Sequence, residues 1–161
     1  MEFLKRFEER SPEYAMQYRD LIDAVSVIGG DHADTDKKQQ SGRFFSNIYE
    51  FYIYAAFLGL SKDYKLPITE GSKKTRFLPI RDWKPNDLVK FLIMSLLAKS
   101  DINLTSLEDL EENEVEEKLT ELKQLLESFA NGGFDIIESK RNEDSTFLID
   151  EYCFMKLLKE S

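Results

Sequence analysis

Residues 44–58 read FFSNIYEFYIYAAFL, and twelve of these fifteen side chains are apolar or aromatic, the exceptions being Ser46, Asn47 and Glu50. A helix that is apolar on nearly every side is buried in a core or an interface. The segment is too short to span a bilayer, which takes about 20 apolar residues. We therefore predict a central helix over 44–58, around which the rest of the chain packs.

A second central helix is predicted over 86–98, where Pro85 suits the first turn and eight large apolar side chains follow. Two further segments place apolar residues at alternating steps of four and three, which lines one helical face. One begins at Ser11-Pro12-Glu13, because Ser caps free amides and Pro is tolerated in a first turn. The other covers 107–130, and Asn131-Gly132-Gly133 predicts its end.

Two segments carry less regular patterns. In 64–80, Leu66-Pro67-Ile68 and Leu78-Pro79-Ile80 flank a turn that contains Gly71, which predicts a small β-hairpin with short or edge strands. Residues 134–149 fit either two strands or helices, and the spacing that continues to residue 158 favours helices. Residues 29–42 are nearly all polar, and we expect a mobile loop there.

The fold class expected from these patterns is all-α. We predict one domain over 1–161, a bundle of five or six helices with the 64–80 hairpin inserted between the two central helices. The length of 161 residues suits one substantial core. The apolar excess of the two central helices also allows a homo-oligomer interface.

The bulk composition indicates where the protein works. The only cysteine, Cys153, cannot form an intramolecular disulfide, so a reducing compartment is expected. The N-terminus lacks the apolar run of a signal peptide, and no segment is long and apolar enough to cross a bilayer. We therefore expect a cytoplasmic protein that does not enter the membrane.

Charge is unevenly distributed along the chain, whose formal net charge is −9. Residues 61–90 carry eight basic and four acidic side chains, and five of the basic ones form what we call the basic strip: Lys73, Lys74, Arg76, Arg81 and Lys84. With Phe77 and Trp83 nearby, the strip could contact nucleic acid, with cations on phosphates and rings on bases. In the other interpretation, which the sequence favours, the strip contacts an acidic protein surface and both rings fold into the core.

Residues 101–127 are the opposite pole, with ten acidic and two basic side chains. The uncompensated acids repel one another, which favours docking to a basic protein partner. The alternative is a solvated face over a leucine stripe. The candidate docking residues, called the acidic face below, are Glu111, Glu112, Glu116 and Glu117.

Catalytic chemistry has few candidates. His32 lies in the polar 29–42 loop among aspartates, and Cys153 lies in the run Tyr152-Cys153-Phe154-Met155, which is typical of a core. Glu50 interrupts an apolar helix, with Asn47 one turn before it, and an outward-facing or paired acid is the ordinary explanation. Phosphate-loop and dinucleotide motifs are absent from the sequence. We predict no catalytic residues, no metal site and no cofactor.

The first functional hypothesis is therefore a non-enzymatic accessory protein that binds a protein partner through its charge-split surface. The alternative is an accessory subunit of a bacterial nucleic-acid-processing or defence assembly, with the basic hairpin contacting phosphates.

Overall fold

The computed structural model describes residues 2–26 and 44–160. That part of the chain forms an all-α fold with a small two-stranded antiparallel sheet, which confirms the predicted fold class. Its helices are α1 (Glu2–Glu8), α2 (Arg19–Val25), α3 (Ile48–Ser61), α4 (Asn86–Lys99), α5 (Glu112–Glu143) and α6 (Cys153–Lys159). Its strands are β1 (Glu13–Ala15) and β2 (Lys74–Arg76), and short 3-10 turns cover Met16–Tyr18, Ile80–Asp82, Leu104–Asp109 and Phe147–Ile149.

The centre of the fold is the pair of helices α3 and α5, which pack against each other more extensively than any other pair in the described residues. Both predicted central helices exist, and α3 is as buried as its composition predicts. The helix α4, in contrast, lies at the edge. One face is buried, but Leu88, Phe91 and Met94 are exposed on the other.

The helix α5 does not end at Asn131-Gly132-Gly133, so that prediction is wrong. The helix continues for ten residues beyond Gly133, because these glycines serve close packing. A methyl carbon built at Gly133 would lie 1.9 Å from the carbonyl oxygen of Ala55 on α3. At Gly132 it would lie 2.3 Å from the carbonyl oxygen of Tyr64. Tertiary contact thus outweighs the low helix propensity of glycine.

The strand pair also differs from the predicted arrangement in its partners. In 64–80 only β2 is a strand, and it pairs antiparallel with β1, with Glu13 opposite Arg76. The other arm contacts α5 instead, since the backbone amide of Leu66 donates to the carbonyl oxygen of Ser128 at 2.9 Å. The prediction of a helix that begins at Ser11 is also wrong in its start. The chain first forms the strand β1 and a 3-10 turn, and the helix α2 begins only at Arg19.

The helical interpretation of 134–149 is confirmed, because α5 covers its first part and a 3-10 turn its last. The following helix α6 places Phe154 in an aromatic cluster with Phe44, Phe45, Phe51 and Tyr54. The predicted loop over 29–42, and His32 within it, lie outside the described residues. Of the helices in 2–26 and 44–160, none combines the length and apolar character that a membrane crossing requires.

Candidate partner-binding surfaces

The basic strip lies on the surface along β2 and the chain that leads to α4. Lys74 and Arg76 are exposed and stand on one side of β2, with the half-buried Thr75 between them, as the two-residue period of a strand dictates. The 3-10 turn Ile80–Asp82 exposes Arg81, and Lys84 is exposed just before α4. Lys73, the residue before β2, is exposed as well.

The strip has little internal neutralisation. Within residues 2–26 and 44–160, Lys74 is its one member with a carboxylate oxygen within 4.0 Å, and that partner, Glu13, is 3.9 Å away. Lys84 donates a hydrogen bond to the neutral side chain of Asn86 at 3.3 Å. The protomer's own described acids therefore leave most of this positive charge uncompensated.

The two aromatic residues of the candidate site lie beneath the strip. Trp83 is only 1% exposed, and its indole N–H donates to the carbonyl oxygen of Leu78 at 3.0 Å. Its ring stacks on Phe77 with centroids 5.7 Å apart, and Phe77 in turn packs on Tyr14 and Tyr52. Sequence reasoning weighed base stacking against core packing for these rings, and the structure places Trp83 in the core.

A partly buried cluster of charged residues attaches the sheet to α5. The backbone amide of Glu13 donates to a carboxylate oxygen of Glu127 at 2.8 Å, and the ammonium of Lys123 lies 2.9 Å from Glu127 and 3.3 Å from Glu13. Glu127 is only 8% exposed, and a buried carboxylate requires such partners. No local pattern of residues indicates this cluster, because Glu13 lies more than 100 residues before Lys123 and Glu127. The cluster holds β1, and through β1 the strand β2, against the long helix.

Two arginines from the N-terminal segment form ion pairs with two of the four residues of the acidic face. Arg6 forms ion pairs with Glu112 and Glu116, and Arg10 pairs with Glu116 at 2.5 Å. Hydrogen bonds from Arg10 and Arg6 lower the pKa of Glu116. Half of the face thus attaches the N-terminal segment to α5.

The other half of the face, Glu111 and Glu117, is exposed. In the described part of the chain, neither residue has a cationic nitrogen within 4.0 Å. These two carboxylates are therefore the members of the acidic face that remain available to a partner.

Two residues considered for chemistry have structural environments. Glu50 and Asn47 cap the start of α3 in a variant of the capping box: the Asn47 side chain accepts from the Glu50 amide at 3.0 Å, and the Glu50 carboxylate accepts from the amide of Ser46, the residue before the cap, at 2.8 Å. Burial raises the pKa of the Cys153 thiol to about 11, so the thiol is neutral and unreactive at neutral pH.

A feature that sequence reasoning missed is Lys90, on the exposed side of α4. Its cationic side chain lines a small polar cavity together with Arg81 and Lys84. Lys90 lies six residues after the basic strip, outside the cluster as the sequence defined it. The first turns of α4 bring Lys90 back to the cavity that Arg81 and Lys84 line.

The described surface also has an apolar groove. It has a volume of about 540 Å³ and lies between α3, α4 and α6, with Phe57, Leu88 and Leu158 in its walls. Phe91, 63% exposed, stacks on Phe57 at one side.

Comparison with known proteins gives one match. No curated protein and no solved structure shows significant similarity to the chain. A protein-family model described as DNA sulphur modification system-associated protein 4 matches residues 31–158, which is more than three quarters of the chain. The protein therefore belongs to the family of DNA sulphur modification system-associated protein 4.

Proposed function

We propose that this protein is an accessory subunit of a bacterial DNA sulphur modification assembly, without catalytic activity of its own, and that its basic strip contacts the DNA backbone. The family membership supplies the context, since the family is associated with a DNA modification system. The observation that carries the proposal is the exposed strip itself, whose charge the described acids of the protomer leave largely unpaired.

The form of the strip favours phosphates over bases as ligands. Its cations stand on or next to a strand and a tight turn, while Trp83 beneath them is buried and unable to stack on an unpaired base. Contacts with phosphates position a protein on DNA and carry no sequence information. We therefore expect binding to duplex DNA that is independent of sequence and strongly weakened by salt. Five phosphate contacts would give a slope of log K against log salt of about −4.5.

The test is fluorescence anisotropy with a labelled duplex over a series of salt concentrations. Changing Lys73, Lys74 and Arg76 to Glu should abolish tight binding, and changing them to Gln should reduce the slope by about 2.7, since three contacts are lost. A matched control changes Lys140, Lys156 and Lys159 to Glu, which alters the net charge equally on a different part of the surface.

Two results would refute the proposal. One is a wild-type protein that does not bind duplex DNA at low salt. The other is a strip variant that binds as well as the control variant does, because net charge alone would then explain the affinity.

A protein partner is the second candidate, and the exposed pair Glu111 and Glu117 supports it. If this pair docks on a basic partner, changing both residues to Gln should abolish co-purification with the other components of the modification system while leaving the melting temperature unchanged. Changing Glu112 and Glu116 to Gln is the comparison, since that pair binds Arg6. Equal co-purification of the first variant and the wild type would exclude the acidic face as the docking surface.

A further inference from the structure

The polar cavity beside the start of α4 has the composition of an anion site. It has a volume of about 220 Å³, and three of the residues that line it are cationic: Arg81 from the 3-10 turn, Lys84 from the connection and Lys90 from α4. Since a water molecule in the liquid occupies about 30 Å³, the cavity has room for a phosphate group with several waters.

Part of the cavity lining is apolar and buried. It is formed by Ile80, Trp83 and Val89, which are at most 4% exposed. The amide of Trp83 donates to the carbonyl oxygen of Ile80 at 3.0 Å, which closes the turn that carries Arg81. A concave surface with low-dielectric walls and an excess of positive charge focuses the electric field, so an anion is attracted more strongly here than on a flat surface.

The charges around the cavity do not balance. Of the residues in 2–26 and 44–160, Glu8 is the one acid that lines it, against three cations. Among the described residues no carboxylate oxygen lies within 4.0 Å of the charged nitrogens of Arg81, Lys84 or Lys90. Asn86, which also lines the cavity, accepts a hydrogen bond from Lys84 at 3.3 Å. A bound anion would relieve the repulsion among the three cations.

We propose that this cavity binds a phosphate group, and that in the DNA complex it holds one phosphate of the backbone. The second part rests on the proposed function, whereas the first rests on the geometry of the cavity alone. Phosphate suits the site because its several oxygens accept hydrogen bonds from ammonium and guanidinium groups, and the guanidinium of Arg81 offers a planar pair of donors to two of them.

The chain provides its own reporter for this site. Trp83 is the only tryptophan, and it is one of the residues that line the cavity. Titration with inorganic phosphate, with NaCl adjusted to keep the ionic strength constant, should give a saturable change in tryptophan fluorescence. Line broadening of the phosphate signal in ³¹P NMR measures the same binding independently of the indole.

The variant Lys90→Gln tests the site without altering the basic strip as the sequence defines it. We expect it to weaken phosphate binding about tenfold or more, because a hydrogen bond between charged groups is lost. Lys99→Gln removes an equal charge from the exposed surface of the same helix and should leave phosphate binding unchanged. Equal thermal melts of the two variants establish that both are folded.

The outcomes separate this inference from the proposed function. Absence of saturable phosphate binding by both fluorescence and ³¹P NMR, or equal affinities of the two lysine variants, overturns the phosphate site, while the strip variants still decide DNA binding. If the site binds phosphate and Lys90→Gln also reduces the salt slope of duplex binding by about 0.9, both parts stand. If Lys90→Gln weakens phosphate binding but leaves duplex binding unchanged, the cavity takes free phosphate and its role in the DNA complex is refuted.

Discussion

Replacement of Gly133 by alanine tests the packing of α3 on α5. The added methyl carbon would lie 1.9 Å from the Ala55 carbonyl oxygen and 2.6 Å from its carbon, whereas carbon and oxygen in contact are ordinarily about 3.3 Å apart. The two backbones would have to separate locally by about 1.4 Å, since no side-chain rotation relieves a clash with backbone atoms. Overpacking of this kind costs about 3 kcal/mol, at the upper end of the usual range.

Helix propensity acts in the opposite direction, because alanine in a helix interior is about 1 kcal/mol more favourable than glycine. We therefore expect Gly133→Ala to lower the free energy of unfolding by about 2 kcal/mol, measured by urea denaturation followed by circular dichroism. For a chain of this length the melting temperature should fall by about 4–8 °C.

The matched control is Thr120, exposed on the same helix. There the alanine variant should be more stable than the glycine variant by about 1 kcal/mol, the propensity difference alone. A Gly133→Ala protein as stable as the wild type, or more stable, would refute the close approach of the two helices.

Three further predictions concern single groups. Since Arg10 holds the pKa of Glu116 below its ordinary value, the pair's contribution to stability is present above about pH 4.5 and is lost as the pH falls through the lowered pKa. Arg10→Gln should thus flatten the acid branch of melting temperature against pH, and an unchanged branch would contradict this reasoning. Cys153, with a pKa of about 11, is ionised to about one part in a thousand at pH 8. A thiol reagent should therefore label it rapidly only in denaturant, and fast labelling of the native protein would contradict its burial. In urea denaturation Asn47→Ala should cost about 1 kcal/mol by removing the cap of α3, whereas Glu50→Gln, which keeps an acceptor, should cost less than about 0.5 kcal/mol.

The sequence predicts the elements whose evidence is local. The apolar run over 44–58 identifies α3, and Pro85 with the apolar residues after it identifies α4 almost to the residue. Hydrophobic composition tells how much of a helix is buried, but not what covers it. For that reason the exposed side of α4, with Phe91 at its centre, was not foreseen.

The sequence misleads where a residue type serves a distant contact. A Gly pair after an amphipathic run ordinarily ends a helix, but Gly133 is small because the backbone at Ala55 lies against it. The pairing of Glu13 with Arg76 joins segments about 60 residues apart, and no local pattern encodes such a contact. The same limit holds for the candidate surfaces. Local charge is enough to predict the basic strip, but the ion pairs of Arg6 with the acidic face join residues more than 100 positions apart and cannot be predicted from local sequence.

The attachment of β1 to α5 has a consequence for any ligand of the basic strip. The strand that carries Lys74 and Arg76 is hydrogen-bonded to β1, and the Glu13–Lys123–Glu127 cluster holds β1 on the long helix. The backbone of β2 is therefore preorganised, and only the long side chains lose conformational entropy when a rigid polyanion is bound. The affinity for such a ligand then depends on the number and spacing of the cations, because β2 does not have to become ordered on binding.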